Sequence, residues 1–194
     1  MIISKQNSGR IVASLIFLTP IIVLFASSAL FYSGYSPQGT INKGTLLDDP
    51  IQLSELKLDV DSGPLKDEFP GKWSIVQFVS GDCLEKCWDT LYSSRQINIR
   101  LAKNSDRVVR YLINIGTNNL SSQSIEKIAE EYPSLFMGTI QSELLPVSVS
   151  EKLQDSPYVL FDPLGNGILI YDSTLPSGEL LEDIKKVLQN SKIG

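Results

Sequence analysis

Histidine is absent from all 194 residues. With it go the imidazole general base, the triads built on it and the commonest nitrogen ligand for transition metals. Sulfur is scarce as well: the cysteines are Cys83 and Cys87 alone, and the methionines are Met1 and Met137. Two thiols exclude both a disulfide-dense scaffold and a four-cysteine zinc site. No basic stripe interleaved with aromatics occurs, and 17 basic against 22 acidic residues give a net charge of −5. Nucleic-acid binding is excluded on that pattern. Internal repeats and low-complexity tracts are missing too.

What the chain does have begins with an apolar run. Ile11 to Tyr32 holds 22 residues without a charge, against about 20 needed to cross a bilayer core. Pro20 lies inside it, which a membrane helix tolerates better than a soluble one. Lys5 and Arg10 precede the run, whereas Lys43, Asp48 and Asp49 follow at a distance. The positive-inside rule places residues 1–10 in the cytoplasm and everything after the 11–32 transmembrane helix on the far side. A cleaved signal peptide is the alternative, with Ala26-Ser27-Ser28 or Ser27-Ser28-Ala29 as the small-residue site, but secretory apolar cores run only about 7–15 residues. Either way the remainder is exported: a linker over 33–43 and one α/β domain over 44–194.

Within that domain Trp73 to Val79 reads as a buried strand and Leu84 to Lys103 as a helix, followed by a second strand over Arg107 to Ile115. A long helix between two strands implies parallel pairing and a right-handed crossover. Ser122 to Tyr132 is a short helix stopped by Pro133. Pro157–Asp162 and Gly167–Asp172 form a hairpin about Pro163-Leu164-Gly165-Asn166. The closing helix has Ser177 as its N-cap and a stripe of Leu180, Leu181, Ile184, Val187 and Leu188. Ile51 to Val60 shows only partial alternation, enough for a short strand or hairpin.

The chemistry concentrates at Asp82-Cys83-Leu84-Glu85-Lys86-Cys87, where a strand delivers two thiols onto the start of a helix and so to an exposed edge. In an exported domain such a pair serves as a structural disulfide, a redox couple or metal ligands, and composition leaves all three open. The helix N-terminus and Lys86 favour a thiolate, and Asp82 opposes them. Spacing sets a condition: i and i+4 on a regular helix have Cβ atoms about 5–6 Å apart, whereas a disulfide wants about 3.5–4.5 Å. Cys83 must therefore sit on the loop, or the first turn must tighten, before the pair can close. Trp73, Phe78 and Trp88 read as core and rim aromatics, Asp162 as a turn residue, and Arg95, Arg100, Arg107 and Arg110 as solvated faces and ion pairs.

The order strand, helix, strand, helix, strand, hairpin partner, helix, with thiols at the first strand-to-helix junction, is thioredoxin-like. More narrowly, Gly71-Lys72-Trp73 through Phe78 to Cys83-x-x-x-Cys87 resembles the corresponding segment of the Sco/SenC family. Leu160-Phe161-Asp162-Pro163-Leu164-Gly165 is similar to that family's strand and Asp-Pro turn. The resemblance covers roughly residues 44–190 and implies a mixed sheet flanked by helices, a single N-terminal anchor in the bacterial inner membrane and a soluble domain facing the periplasm. It also implies copper as cargo, Cys83 and Cys87 as its ligands, and cytochrome oxidase subunits or other assembly factors as partners.

Two departures stand out. Trp88 takes the place of the family's proline, and Gln154-Asp155-Ser156-Pro157 offers no histidine where the family has a third copper ligand. Two thiolates suit Cu(I), which is soft; Cu(II) wants nitrogen. Thioredoxins, aligned by strand and first cysteine, hold a buried acid where this chain has Gln77, and an amide is no base for a resolving thiol. The functional expectation is an accessory protein of cytochrome oxidase biogenesis that uses the pair for Cu(I) handling or thiol maintenance. Its alternatives are a membrane-tethered thiol–disulfide oxidoreductase, in which Cys83 and Cys87 would be catalytic, and a non-catalytic assembly partner.

Topology is directly testable. A reporter active only outside the cytoplasm should work when fused after Gly194 and fail when fused before Ile11. Activity of the second fusion would invert the orientation argued from Lys5 and Arg10.

Overall fold

The computed structural model describes residues 5–34, 41–61, 63, 71–116, 120–145, 150, 158–171 and 177–193. The chain divides into two compact units, one ending at Thr40 and one beginning at Ile41. The first is a single helix, α1 (Lys5–Tyr32), with Pro20 inside it. Gly9–Tyr32 is apolar enough to cross a membrane, with mean hydropathy 2.3. The Thr19 hydroxyl, one residue before Pro20, bonds the Leu15 carbonyl at 2.6 Å, a satisfaction within the helix that an apolar surrounding demands.

The second unit is a seven-stranded mixed sheet in the order β1-β7-β6-β3-β4-β5-β2. Its strands are β1 (Thr45–Gln52), β2 (Asp59–Val60), β3 (Trp73–Val79), β4 (Val108–Ile115), β5 (Leu135–Ile140), β6 (Tyr158–Phe161) and β7 (Asn166–Tyr171). The helices are α2 (Leu53–Leu56), α3 (Glu85–Arg100), α4 (Ser122–Glu131) and α5 (Ser177–Asn190). β3, β4 and β5 run parallel, and β6 joins β3 antiparallel. The protein therefore has the expected thioredoxin-like arrangement, a mixed sheet flanked by helices.

All seven residues of β3 are buried, the five apolar ones together with Ser74 and Gln77, as befits a central strand covered on both faces. On one face Ile75, Ile97 and Leu101 pack with Leu180, Ile184 and Leu188 of α5. On the other, Val76, Phe78, Tyr111 and Phe161 pack with Leu53 and Leu56 of α2. The β6–β7 turn is held as expected by Asp162, whose Oδ1 accepts the Leu164 and Asn166 amides at 2.9 and 2.8 Å.

Four details differ from the sequence reading. The Ile51–Val60 stretch resolves into the end of β1, α2 and β2, with β1 pairing β7 and β2 pairing β5. β5, on which Met137 lies, is a strand the periodicity did not reveal. Ser177 is the first helical residue of α5 rather than its cap. Arg110 is buried at 4% exposure, where an ion pair or solvated face was expected. It donates to the Ser94 hydroxyl at 3.4 Å, and desolvation, with Arg95 nearby, lowers its pKa to about 10.

A buried carboxylate closes the start of this unit. Asp183 Oδ2 accepts the amides of Lys43 and Gly44 at 2.7 and 3.0 Å and faces the Tyr171 hydroxyl at 3.2 Å. Burial and this carboxylate push the Tyr171 phenol upward.

β5 offers a test of the sheet's edge. A Cβ on Gly138 would lie 2.7 Å from the Asp59 carbonyl oxygen and 3.1 Å from Val60 Cα, and neither backbone atom can swing aside. Gly138→Ala should lower unfolding free energy by roughly 1–3 kcal/mol, read from urea denaturation. An unchanged midpoint would mean that β2 does not hold the register seen here.

Candidate functional site

β3 ends at Val79, and the chain turns out of the sheet through Ser80 and Gly81, the latter at φ 85°, before reaching the cysteines. α3 begins only at Glu85, with Leu84 extended at φ −92°, ψ −174° as its N-cap. Cys83 therefore sits on the loop and Cys87 in the first helical turn, which meets the geometric condition for closure. The two form a disulfide with Cα atoms 5.2 Å apart.

The exposed edge expected for the sulfurs is not what forms. Cys83 and Cys87 are 4% and 2% exposed. They pack with Val79, Leu91, Leu112, Ile128 and Tyr132. The reason is α4, whose Ile128 and following Tyr132 close over the junction. Between the cysteines Leu84 is left 74% exposed.

Gln77 lies behind the pair, 2% exposed. Its Nε2 donates to Thr90 Oγ1 at 2.6 Å and to the Cys87 carbonyl at 3.2 Å, and it stands 3.7 Å from Cys87 Sγ. Its Oε1 is buried with no hydrogen-bond partner among the described residues. The amide can donate to sulfur and cannot take a proton from it. Nearby, Tyr158 donates its hydroxyl to the Thr90 carbonyl, and burial raises its pKa.

Asp82 precedes the first cysteine. Its Oδ1 accepts the Cys83 amide at 2.9 Å, the Ser121 amide at 3.1 Å and the Ser124 hydroxyl at 2.6 Å. These bonds, that from Ser124 first, lower its pKa from 3.8 to about 2. Sequence placed Asp82 beside the thiols; its bonds to α4, 39 and 42 residues away, left no local signal.

The aromatic at the proline position joins α3 to α4. Lys127 Nζ lies 4.1 Å above the Trp88 ring, Trp88 and Tyr132 are 6.5 Å apart, and Arg95 lies 5.7 Å over Tyr132. Met137 packs against the same cluster as the cysteines, two strands from Gln77 in the row Gln77–Leu112–Met137. The donors available to a metal are thus two thiols, once reduced, with a thioether in their cluster. They fit a soft monovalent ion and not one that wants nitrogen. No group of three His, Cys, Asp or Glu suited to a metal occurs among the described residues. Ser156 and its neighbours, aligned above with the family's histidine loop, lie outside the described residues. Two surface cavities of 190 and 550 Å³ are lined by neither cysteine.

The family described as "Transmembrane-like, thioredoxin-like, C-terminal domain" matches residues 73–191. The chain belongs to that family. Its match starts with the first residue of β3 and so takes in the thiol junction and α5 together. Among solved structures, copper-bound ScoI of Arabidopsis thaliana is 21% identical, covering 62% of this chain and 86% of its own, with TM-score 0.49. BsSco, a member of the Sco family of cytochrome c oxidase assembly proteins, is 15% identical, covering 75% and 99%, with TM-score 0.47. A thiol:disulfide interchange protein from Bacteroides sp. is 15% identical, covering 63% and 76%, with TM-score 0.41. Likeness at this level does not carry chemistry between proteins. No curated protein matches the chain.

Asp82 gives a pH test. Folding depresses its pKa, so its contribution to stability is complete above 3.8 and fades as pH falls toward 2. The difference in urea midpoint between wild type and Asp82→Asn should hold steady from neutral pH to about pH 4 and shrink below it. Shrinkage already between pH 7 and 5 would contradict the hydrogen-bonded carboxylate described here.

Proposed function

We propose that this is a membrane-anchored accessory protein of cytochrome c oxidase biogenesis, held in the bacterial inner membrane with its domain in the periplasm. Its reduced Cys83–Cys87 pair would bind one Cu(I) or maintain the thiols of a partner's copper site. The domain limits suggested by sequence, an 11–32 anchor, a 33–43 linker and a 44–194 domain, belong to this reading. The observation that carries it is the donor set: two sulfurs brought together at the β3–α3 junction, backed by the Gln77 amide, which donates toward Cys87 and takes no proton from it. Two thiolates hold Cu(I) in low coordination. The resemblance of Gly71 through Cys87 to the Sco/SenC segment, together with the anchor, supplies the pathway, and oxidase subunits or other assembly factors are the partners it implies.

In this mechanism the chain's own residues bind and position. β3 and the first turn of α3 set the sulfur separation, and Gln77 Nε2 directs an N–H at Cys87. Ile128 and Tyr132 keep water from the pair. The closed disulfide favours a second reading, a tethered thiol–disulfide oxidoreductase, with Cys83 and Cys87 catalytic. Gln77 weighs against fast general reduction, because proton transfer to the resolving thiol has no base there.

The two readings separate in one experiment. A fragment from about residue 40, reduced and anaerobic, should bind at most one Cu(I), and Cys83→Ser or Cys87→Ser should abolish it. Cu(II) should bind weakly and without the strong charge-transfer colour of a nitrogen-plus-thiolate site. Catalytic reduction of insulin with neither copper state bound would decide for the oxidoreductase.

A further inference from the structure

The sulfurs share one buried apolar cluster with Val79 on β3, Leu112 on β4 and Leu91 on α3, all permanent parts of the fold. The same cluster takes in Ile128 on α4 and Tyr132 just beyond it. α4 itself is weakly held. Of its ten residues only Ser124 and Ile128 are buried, and segments with so little burial open with the lowest free energies. It is fastened at two ends by different means. Its C-terminal end carries the Lys127–Trp88 contact, the tilted Trp88–Tyr132 ring pair and Arg95 over Tyr132. Its N-terminal end is fixed by Asp82 Oδ1, which binds the Ser121 amide, the Ser124 hydroxyl and the Cys83 amide at once. A single carboxylate oxygen therefore joins the cover to the loop bearing the first cysteine.

We infer that α4 is a hinged cover over the Cys83–Cys87 pair, latched by Asp82 to Ser121 and Ser124, and that opening of this latch sets how fast a thiol reductant or a Cu(I) donor reaches the sulfurs. The inference deepens the proposed use of the pair and rests on it only for biological purpose. The aromatic end, Tyr132 included, serves as hinge, because its contacts join α3 to α4 without touching the Asp82 loop; Ile128, one turn from Ser124 on the buried face of α4, lifts with the latch end. The latch end opens, because hydrogen bonds to a carboxylate at the surface exchange with water at a modest net loss, whereas separating the aromatic rings would expose apolar area. Asp82, Ser121 and Ser124 are positioning residues, since none of them meets the reductant.

Dithiothreitol reduction of the disulfide is the test. Its thiolate attacks one sulfur, the S–S bond breaks, and the other cysteine leaves as a thiolate. The reagent's second thiol then closes its own ring and frees the first cysteine, two electrons and two protons passing in all. Ser124→Ala removes the hydroxyl bond from the α4 side while the Ser121 cap on the Ser124 amide remains available. Asp82→Ala removes the whole latch. In the full chain, reduction should quicken severalfold with Ser124→Ala and about tenfold or more with Asp82→Ala. In Ser124→Ala, which leaves the Asp82 charge in place, the equilibrium reduction potential should stay nearly constant, because access changes equally for both directions. Glu130→Ala, on the exposed face of α4, should reduce at the wild-type rate.

Rates equal to wild type in both latch variants would overturn the inference. So would a rate gain in Ser124→Ala matched by an equal change in potential. Amide hydrogen exchange provides a readout independent of any variant's folding: wild-type α4 amides should exchange by openings that leave α5 protected. Exchange of α4 and α5 together, only in global unfolding, would exclude a separate cover. Failure of the functional reading looks different, since a wild-type fragment that binds no Cu(I) would lose the copper role while the differences in reduction rate remained.

Discussion

β3 is buried on both faces and paired on both edges, with β4 parallel on one side and β6 antiparallel on the other. A strand so constrained cannot shift its register without turning its core residues outward, so the point at which the chain leaves the sheet is settled. Gly81, with its left-handed φ, turns the chain, and the parallel partner β4 demands a crossover helix that must start there. The thiol pair inherits its geometry from these requirements: one sulfur on the short loop, the other in the first turn. Gln77, two residues before the strand ends, faces the same junction because side chains alternate along a strand.

What surrounds the sulfurs decides which chemistry suits them. The chain has no imidazole, and the buried polar group that faces Cys87 Sγ, at 3.7 Å, is an amide. Proton shuttling is therefore poorly served, while a hydrogen bond donated toward sulfur and a dry, apolar cluster remain. Such an environment favours holding two soft donors together over turning over a stream of disulfide substrates. Arg110 follows a different logic: among the described residues its charge is buried against the Ser94 hydroxyl at 3.4 Å, which costs stability, and nothing among them explains its retention.

Much of this was visible in the residues. Trp73 to Val79 announced a core strand by its mostly apolar, β-branched and aromatic content, the stripe of α5 by its spacing, and the β6–β7 turn by Asp162 and Gly165. The cysteine pair could be placed on a strand-to-helix junction, and the need for Cys83 to lie off the helix followed from i, i+4 geometry. The rest depended on distance along the chain. β5 reads Leu-Phe-Met-Gly-Thr-Ile, intermediate in burial over its first four residues, so no alternation marked it, and Met137 could not be placed. α4 read as a short helix stopped by Pro133; that it packs against the disulfide is a tertiary fact, carried by Ile128, Tyr132 and the Asp82 bonds. The burial of the sulfurs reversed the expected exposed edge for that reason alone. Burial of Arg110 was hidden because a lone arginine in an apolar strand looks the same whether it points to water or to α3.

The central claim, that the protein acts in oxidase assembly through its two sulfurs, is tested most directly in cells. In a host lacking the native gene, the full chain with both Cys83→Ser and Cys87→Ser should reach the membrane at wild-type level. It should nevertheless fail to restore cytochrome c oxidase activity and oxidase-bound copper in isolated membranes, which the unmodified chain restores. Full oxidase activity from the cysteine-free chain would contradict the account, leaving the fold as a docking surface and the disulfide as a staple.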